Sequence, residues 1–308
     1  MDFRLTGDQR ALQAGVRALL EGRFGRERLR AAVGKPGPGP NPPLDRALWR
    51  ELGDAGFFAL RLPAKDGGVG LGLPEAVLAF EEAGRALLPG PLVATHLAAG
   101  TLPGAATGES VVTWVDGELV EWLDAADCVL GPGNAAGAVP VRSVDPLTPL
   151  HRVPAGADGA RAAPAPGAAC RSEAAVAALL TAAEQLGSAA RTTEAAVQYA
   201  GEREQFGRSI GAFQAVKQLC AQMLVRTEVT RSAVYGAAVT GDPVEIAGAK
   251  LLADDAAVRN ARDCLQVHGG MGFTWEADVH LHLKRAWVRA ERWPTAGEAA
   301  DVLAGALL

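Results

Sequence analysis

The chain reads as mainly α-helical and in three parts: helices, then short strands, then helices again. Three observations predict this. Apolar residues recur at helical spacing in the first part. Short β-rich runs alternate with Gly, Pro and Asp breakers in the second. Long alanine-rich stretches with few breakers fill the third. The parts span 1–92, 93–171 and 172–308, and a chain of 308 residues is long enough for a large core and two or three domains.

In the first part, Leu12, Val16, Leu19, Leu20 and Phe24 recur at the spacing of one helix. "KPGPGPNPP" (35–43) breaks the pattern, since proline removes a backbone donor and clashes in a helix interior. "LDRALWRELGDAG" gives a second helix ended by Gly56. "LPEAVLAFEEAGRALLPGP" gives a third, with Pro74 near its first turn and "PGP" as its stop. The runs "SVVTWVDG", "CVLGPG" and "AVPVRSV" read as strands of a small β-domain, and "PAGADGARAAPAPGAA" as loop or linker. Two long helices follow, "SEAAVAALLTAAEQLGSAARTTEAAVQYAGER" and "GAFQAVKQLCAQMLVRTEVTRSAVYGAAV". A third opens at Asp242 as cap, with Pro243 at the first helical position and Glu245 completing a capping box. Val244, Ala247, Leu251, Val258, Ala261 and Leu265 mark its apolar side.

Composition narrows the function. With 49% hydrophobic and 21% charged residues, the chain is an ordinary globular protein. A net charge of −5 argues against a nucleic-acid partner. Cys128, Cys170, Cys220 and Cys264 are scattered and form no CxxC pair, which fits a reducing cytoplasm and offers no metal-site spacing. His280 and His282 are two apart and diverge on a helix, a poor metal pair. "MDFRLTGDQR" is charged from the start and is no signal peptide, and no apolar run approaches the roughly 18 residues of a membrane span.

The segment "QVHGGMGFTWE" (266–276) raises the sharpest question. Glycine costs a helix about 1 kcal/mol relative to alanine, yet Gly269, Gly270 and Gly272 cluster here. They end the preceding helix. A helix C-terminus repels anions, so a phosphate bound there needs help from elsewhere.

Together with "YAGEREQFGRSIGAFQAVK" (199–217), this segment resembles the C-terminal domain of the acyl-CoA dehydrogenases. The resemblance implies that fold: an N-terminal helical domain, a middle β-domain, here reduced, and a C-terminal four-helix bundle. It also implies FAD bound across a subunit interface, acyl-CoA as substrate and an electron-transfer flavoprotein as acceptor. On that resemblance, Arg203 pairs with the FAD pyrophosphate, for which its planar fork suits. Phe206 meets the adenine region, and Gln214 is a polar contact. Gln266, Gly269 and Gly270 let donors approach the pyrophosphate closely. The bland alternatives are a surface ion pair of Arg203 with Glu202 or Glu204, and a core role for Phe206. His268 reads as a helix-end hydrogen bonder, and Trp275, Leu281 and Leu283 as packing residues.

The sequence departs from the family pattern twice. The Thr-Glu-Pro-x-Ala-Gly-Ser-Asp and Trp-Ile-Thr-like stretches that hold the flavin ring are absent. The family's catalytic glutamate is absent too. It removes a proton beside the thioester and stands in one of two places. About two dozen residues after the double glycine lies Trp293; about 26 before the arginine lies Ala177. Glu173, Glu184 and Glu291 are the nearby acidic candidates. The ending "FTWEADVHLHLKRAWV" resembles the short subunits of actinobacterial α2β2 enzymes that dehydrogenate CoA thioesters of steroid side chains. The leading expectation is therefore one subunit of a heteromeric acyl-CoA dehydrogenase, a heterotetramer, lacking its own base. The alternatives are a self-sufficient homomeric enzyme with a displaced Glu, and a non-catalytic flavin- or CoA-binding scaffold.

Overall fold

A computed structural model describes residues 4–34, 43–154 and 168–308. The proline-rich stretch after the first helices and most of the expected linker before 172 lie outside these residues.

The N-terminal part is helical. α1 (Gly7–Arg23) starts in a capping box between Thr6 and Gln9 and is followed by α2 (Arg26–Val33). α3 (Arg46–Asp54) is capped by Asp45, whose side chain accepts from the Ala47 and Leu48 amides. α4 (Leu73–Arg85) carries a Pro in its first turn and is buried along most of its length. Sequence periodicity missed α5 (Leu92–Ala98), which directly follows the "PGP" stop and is too short to show a period.

The middle part forms a mixed sheet of β1 (Val112–Asp116), β2 (Leu119–Glu121), β3 (Cys128–Leu130), β4 (Val139–Val141) and β5 (Leu150–Arg152), in the order β3-β1-β2-β5-β4. β1 and β3 are parallel and the other pairs antiparallel. β1, β3 and β4 fall on the three runs read as strands. β2 and β5, three residues each, were not expected, because "LVE" and "LHR" carry too little alternation to register.

The C-terminal part packs α6 (Ala168–Glu202), α7 (Gln214–Thr240) and α8 (Pro243–His268) together, with α9 (Val279–Ala290) on α6 and α8 and α10 (Ala296–Leu307) on α8. A two-stranded hairpin, β6 (Glu204–Gln205) and β7 (Arg208–Ser209), joins α6 to α7. α8 starts on Asp242 as expected, but Glu245 makes no reciprocal box. Its Oε2 accepts from Thr240 Oγ1 at 2.7 Å instead. The buried face of α8 is also turned and wider than expected: Ala247, Ala261 and Leu265 are buried, but Val244, Leu251 and Val258 are only half-buried. That face includes Lys250, Asp254 and Asn260, because other helices cover it on several sides. Asn260 ties three helices: its two Nδ2 hydrogens are shared among Thr193 Oγ1, Thr227 Oγ1 and the Met223 carbonyl, all within hydrogen-bond distance, and its Oδ1 accepts from Arg226.

α4 lies against α6 at backbone distance. A Cβ on Gly187 would come within 1.8 Å of the Glu81 carbonyl oxygen, and one on Gly84 within 2.0 Å of that of Glu184. This crossing joins the N-terminal helices to the bundle in one apolar core. No helix among the described residues is long and apolar enough to cross a membrane.

Candidate functional site

The six residues expected to touch FAD gather at one end of the bundle. The C-termini of α6 and α8 and the N-terminus of α7 meet there, and His268 stacks on Tyr199 with ring centres 4.2 Å apart. The link is reinforced by His268 Nδ1, 2.8 Å from the Cys264 carbonyl, the helix-end role expected for this histidine.

Arg203 follows α6 directly. Its amide donates to the Tyr199 carbonyl at 2.8 Å and its carbonyl accepts from Ile210, so the backbone is fixed. The guanidinium is exposed and has no hydrogen bond or ion pair among the described residues. Glu202 does not hold it: that carboxylate accepts from Gln198 at 2.9 Å. A side chain anchored at its base and unpaired at its tip is available to an outside anion.

Phe206 sits at the tip of the hairpin. Its φ is +53° and that of Gly207 +77°, the backbone of a tight two-residue turn. A non-glycine residue there costs about 1–2 kcal/mol. The ring is also 92% exposed, which removes the core alternative. Its one aromatic neighbour is Phe213, edge-on at 6.1 Å, with Arg208 over the other ring at 4.3 Å. A strained and solvated aromatic is a candidate for contact with something outside the chain.

The glycines separate by cause. Gly269 has φ +57° and ψ −140°, which other residues rarely adopt. A Cβ on Gly272 would press the Leu265 carbonyl at 2.9 Å. Nothing lies within 4 Å of a Cβ on Gly270, and its φ is ordinary. So two glycines serve this chain's own backbone, while nothing inside the chain demands the third. Gln214 and Gln266 are exposed at the same end. The help that a phosphate needs here was not foreseen: α7 begins at this end, and its N-cap, Phe213, offers no side-chain cap. Unbonded amides and the positive end of a 27-residue helix therefore face the place where two helix C-termini alone would repel an anion. These features fit a diphosphate linked to an aromatic base.

The base positions look different. Ala177 is fully buried in α6. Trp293 is buried after α9, with its ring 5.5 Å from that of Trp114 on β1 and its amide donating to Asp116 Oδ2 at 3.1 Å. Beside it runs a buried ionic network. Arg292 Nε donates to Asp116 at 2.9 Å, Arg289 to Glu121 Oε2 at 2.7 Å, and Arg285 to Asp145. Glu184 Oε2 lies 3.0 Å from Arg289 Nε, at an angle that forms no hydrogen bond. Burial alone would raise both glutamates. Arg289 holds Glu121 below its ordinary value, while burial wins for the less well-bonded Glu184 and pushes it up. Glu291 is exposed, and Glu173 is half-buried at the start of α6. Sequence reasoning missed this network because its partners lie on the sheet, α6 and α9, with no motif linking them. Among the described residues no group of three or more His, Cys, Asp or Glu is placed to hold a metal ion.

Comparison with known proteins matches two stretches of the chain. Residues 6–112 match the model of the acyl-CoA dehydrogenase N-terminal domain, and 169–295 that of the acyl-CoA dehydrogenase C-terminal domain. Over 299 residues the chain is 34% identical to acyl-CoA dehydrogenase IpdE2 of Mycobacterium tuberculosis, covering 91% of each. Among solved structures it superposes on the Tcur3481–Tcur3483 steroid ACAD with a TM-score of 0.79 and 25% identity, covering 97% of each chain. The ChsE4–ChsE5 complex of Mycobacterium tuberculosis shares the fold, with a TM-score of 0.81 at 24% identity over 100% of this chain and 99% of that one.

Proposed function

This chain belongs to the acyl-CoA dehydrogenase family, and we propose that it acts there as the base-less subunit of a heteromeric enzyme. It completes the FAD site of a second, related subunit, in an α2β2 assembly that dehydrogenates a CoA thioester between its α and β carbons. The observation that carries this reading is the contrast at one chain's two ends. The pyrophosphate-binding end is open and unpaired, whereas the place of the catalytic carboxylate is filled by Trp293 and closed by salt bridges.

Arg203, with Gln266, Gly269, Gly270 and the α7 amides, would hold the pyrophosphate, and Phe206 the adenine side. Gln214 adds a polar contact. FAD, when bound, supplies the hydride acceptor. Proton removal from the carbon beside the thioester falls to the partner. In this chain an indole and a methyl group stand at the two family base positions, and neither takes a proton from carbon. Glu184 is engaged with Arg289, and Glu291 faces solvent.

A partner surface is present on α7. Val225 and Val229, one turn apart, and the adjacent Leu224 are each more than half exposed. Phe273 and Met271 extend the exposed apolar surface at the cofactor end. Apolar groups grouped like this mark interaction sites. The likeness to a steroid ACAD supports a steroid side-chain thioester as substrate, with an electron-transfer flavoprotein as acceptor.

A self-sufficient enzyme would need a carboxylate that can meet a ligand, and Glu173, which lines a cleft, is the one this second reading would use. Glu173→Gln, Glu184→Gln and Glu291→Gln in the co-expressed complex decide between them. Each leaves most of the turnover if the partner supplies the base, and the same change to the partner's glutamate removes about 10²- to 10⁴-fold. A comparable loss from one of the three, with FAD still bound, would establish the self-sufficient enzyme.

A further inference from the structure

We propose that the cleft formed by the Arg61 turn, α5 and the first turns of α6 is a binding site for a single carboxylate group. It has a volume of about 240 Å³, and its walls include Arg61, Pro63, His96, Leu97, Glu173 and Val176. That is below the roughly 300–1,000 Å³ of pockets for drug-sized ligands, which suits a small polar group better than a whole cofactor.

Arg61 is the first reason. Among the described residues, Arg17, Arg30, Arg85, Arg226 and Arg231 are also half-buried, and each pairs with a carboxylate. Arg61 has no hydrogen bond or ion pair among the described residues, and burial holds it below its ordinary value. A guanidinium taken out of water without a counter-charge is unfavourable, and its planar fork is made for a carboxylate.

His96 is the second. Its side chain is buried, its ring packs edge-on against Phe80 at 5.3 Å, and neither ring nitrogen forms an aligned hydrogen bond among the described residues. Burial first, then Arg61, push it down to about 4; the Phe57 and Phe58 backbone acts against this without forming an aligned bond. The ring is neutral and offers one N–H donor. Buried polar atoms are nearly always bonded, so the unbonded N–H of this ring beside an unpaired guanidinium indicates a missing acceptor. A carboxylate supplies it, with the Arg61 fork on its oxygens and the His96 N–H as a further donor. Glu173 lines the same cleft, which argues against a multiply charged anion such as phosphate.

The carboxylate can belong to a free acid or to the far end of an acyl thioester. The site is built from this chain alone, so its test is independent of the partner reading. The full chain is titrated with butyrate, and with adipoyl-CoA against hexanoyl-CoA, while the His96 ring nitrogens are followed by NMR. Arg61→Gln is titrated in parallel. Butyrate binding that moves the His96 signals and weakens about ten- to a hundredfold in Arg61→Gln identifies a site for free acids. A preference for adipoyl-CoA over hexanoyl-CoA that disappears in Arg61→Gln identifies the thioester terminus. If Arg61→Gln does not fold, Arg61→Lys replaces it, with weakened binding expected. The proposal is overturned if neither probe moves the His96 signals, or if binding is the same without the guanidinium.

Discussion

The two ends of the C-terminal bundle contain similar residues and treat them in opposite ways. At the hairpin end, Arg203 is exposed with no partner among the described residues, Phe206 is strained and exposed, and Gly270 has open space around it. At the α9 end, Arg285, Arg289 and Arg292 are buried and each meets a carboxylate. An arginine paired inside a core has no charge left for a ligand. One that is fixed at its backbone and bare at its tip has its charge available. The same residue type is thus structural at one end and poised for binding at the other, and pairing distinguishes the two.

Breaking the structural end has the largest expected effect. Arg289→Met takes from Glu121 and Glu184 their direct ion-pair partner and leaves only the more distant Arg285 and Arg292, and removing one partner of a buried pair costs about 3–5 kcal/mol. Urea denaturation of the variant is expected to show that loss in its midpoint. An unchanged midpoint would mean that the network contributes little.

Acid probes the same interior. Burial first, and nearby arginines second, push His96 down to about 4 and His282 to about 3. Both stay neutral in the folded chain, whereas unfolded histidine takes a proton near 6.5. Their stabilising contribution is therefore full above about pH 6.5 and is lost as pH falls toward 4 and then 3, at about 1.4 kcal/mol per pH unit for each histidine at most. Denaturation curves at neutral pH and near pH 5 measure it. Equal stability at the two values would show that these rings are not held neutral.

At the binding end, Arg203→Ala leaves folding intact and weakens FAD retention in the complex about ten- to a hundredfold, from the loss of a charge-assisted contact. Flavin content after gel filtration reports it. The glycines sharpen the contrast. Gly269→Ala costs stability of about 1 kcal/mol through its backbone. Gly270→Ala leaves stability unchanged, within about 0.5 kcal/mol, yet lowers FAD retention. If Gly270→Ala loses stability and keeps flavin, the third glycine serves the chain after all.

Much of this contrast was legible in the sequence. The three-part order, the long C-terminal helices and the two motifs that meet at the hairpin end all carry local signals: period, breakers and spacing. The capped start of α8 was visible in Asp242 and Pro243, but the reciprocal Glu245 bond was not, because Thr240 competes for that carboxylate. What stayed hidden depends on distant partners. Lys250 and Asp254 carry no local signal of burial, and only the packing of neighbouring helices buries them as a pair. The uncapped start of α7 could be read from "AFQAVK", where no Ser, Thr, Asp or Asn stands at the cap. Its meeting with the ends of α6 and α8 could not. Arg61 and His96 lie in separate segments that no spacing connects.

On the proposed function, this chain completes a partner's FAD site and supplies no base of its own. The most direct test of this claim is the visible spectrum and acyl-CoA dehydrogenase activity of the chain purified alone and after co-expression with its related subunit. The expected result is a colourless, inactive chain alone and a yellow, active complex that loses flavin when Arg203 becomes Ala. A chain that is yellow by itself and dehydrogenates an acyl-CoA without a partner would contradict the claim.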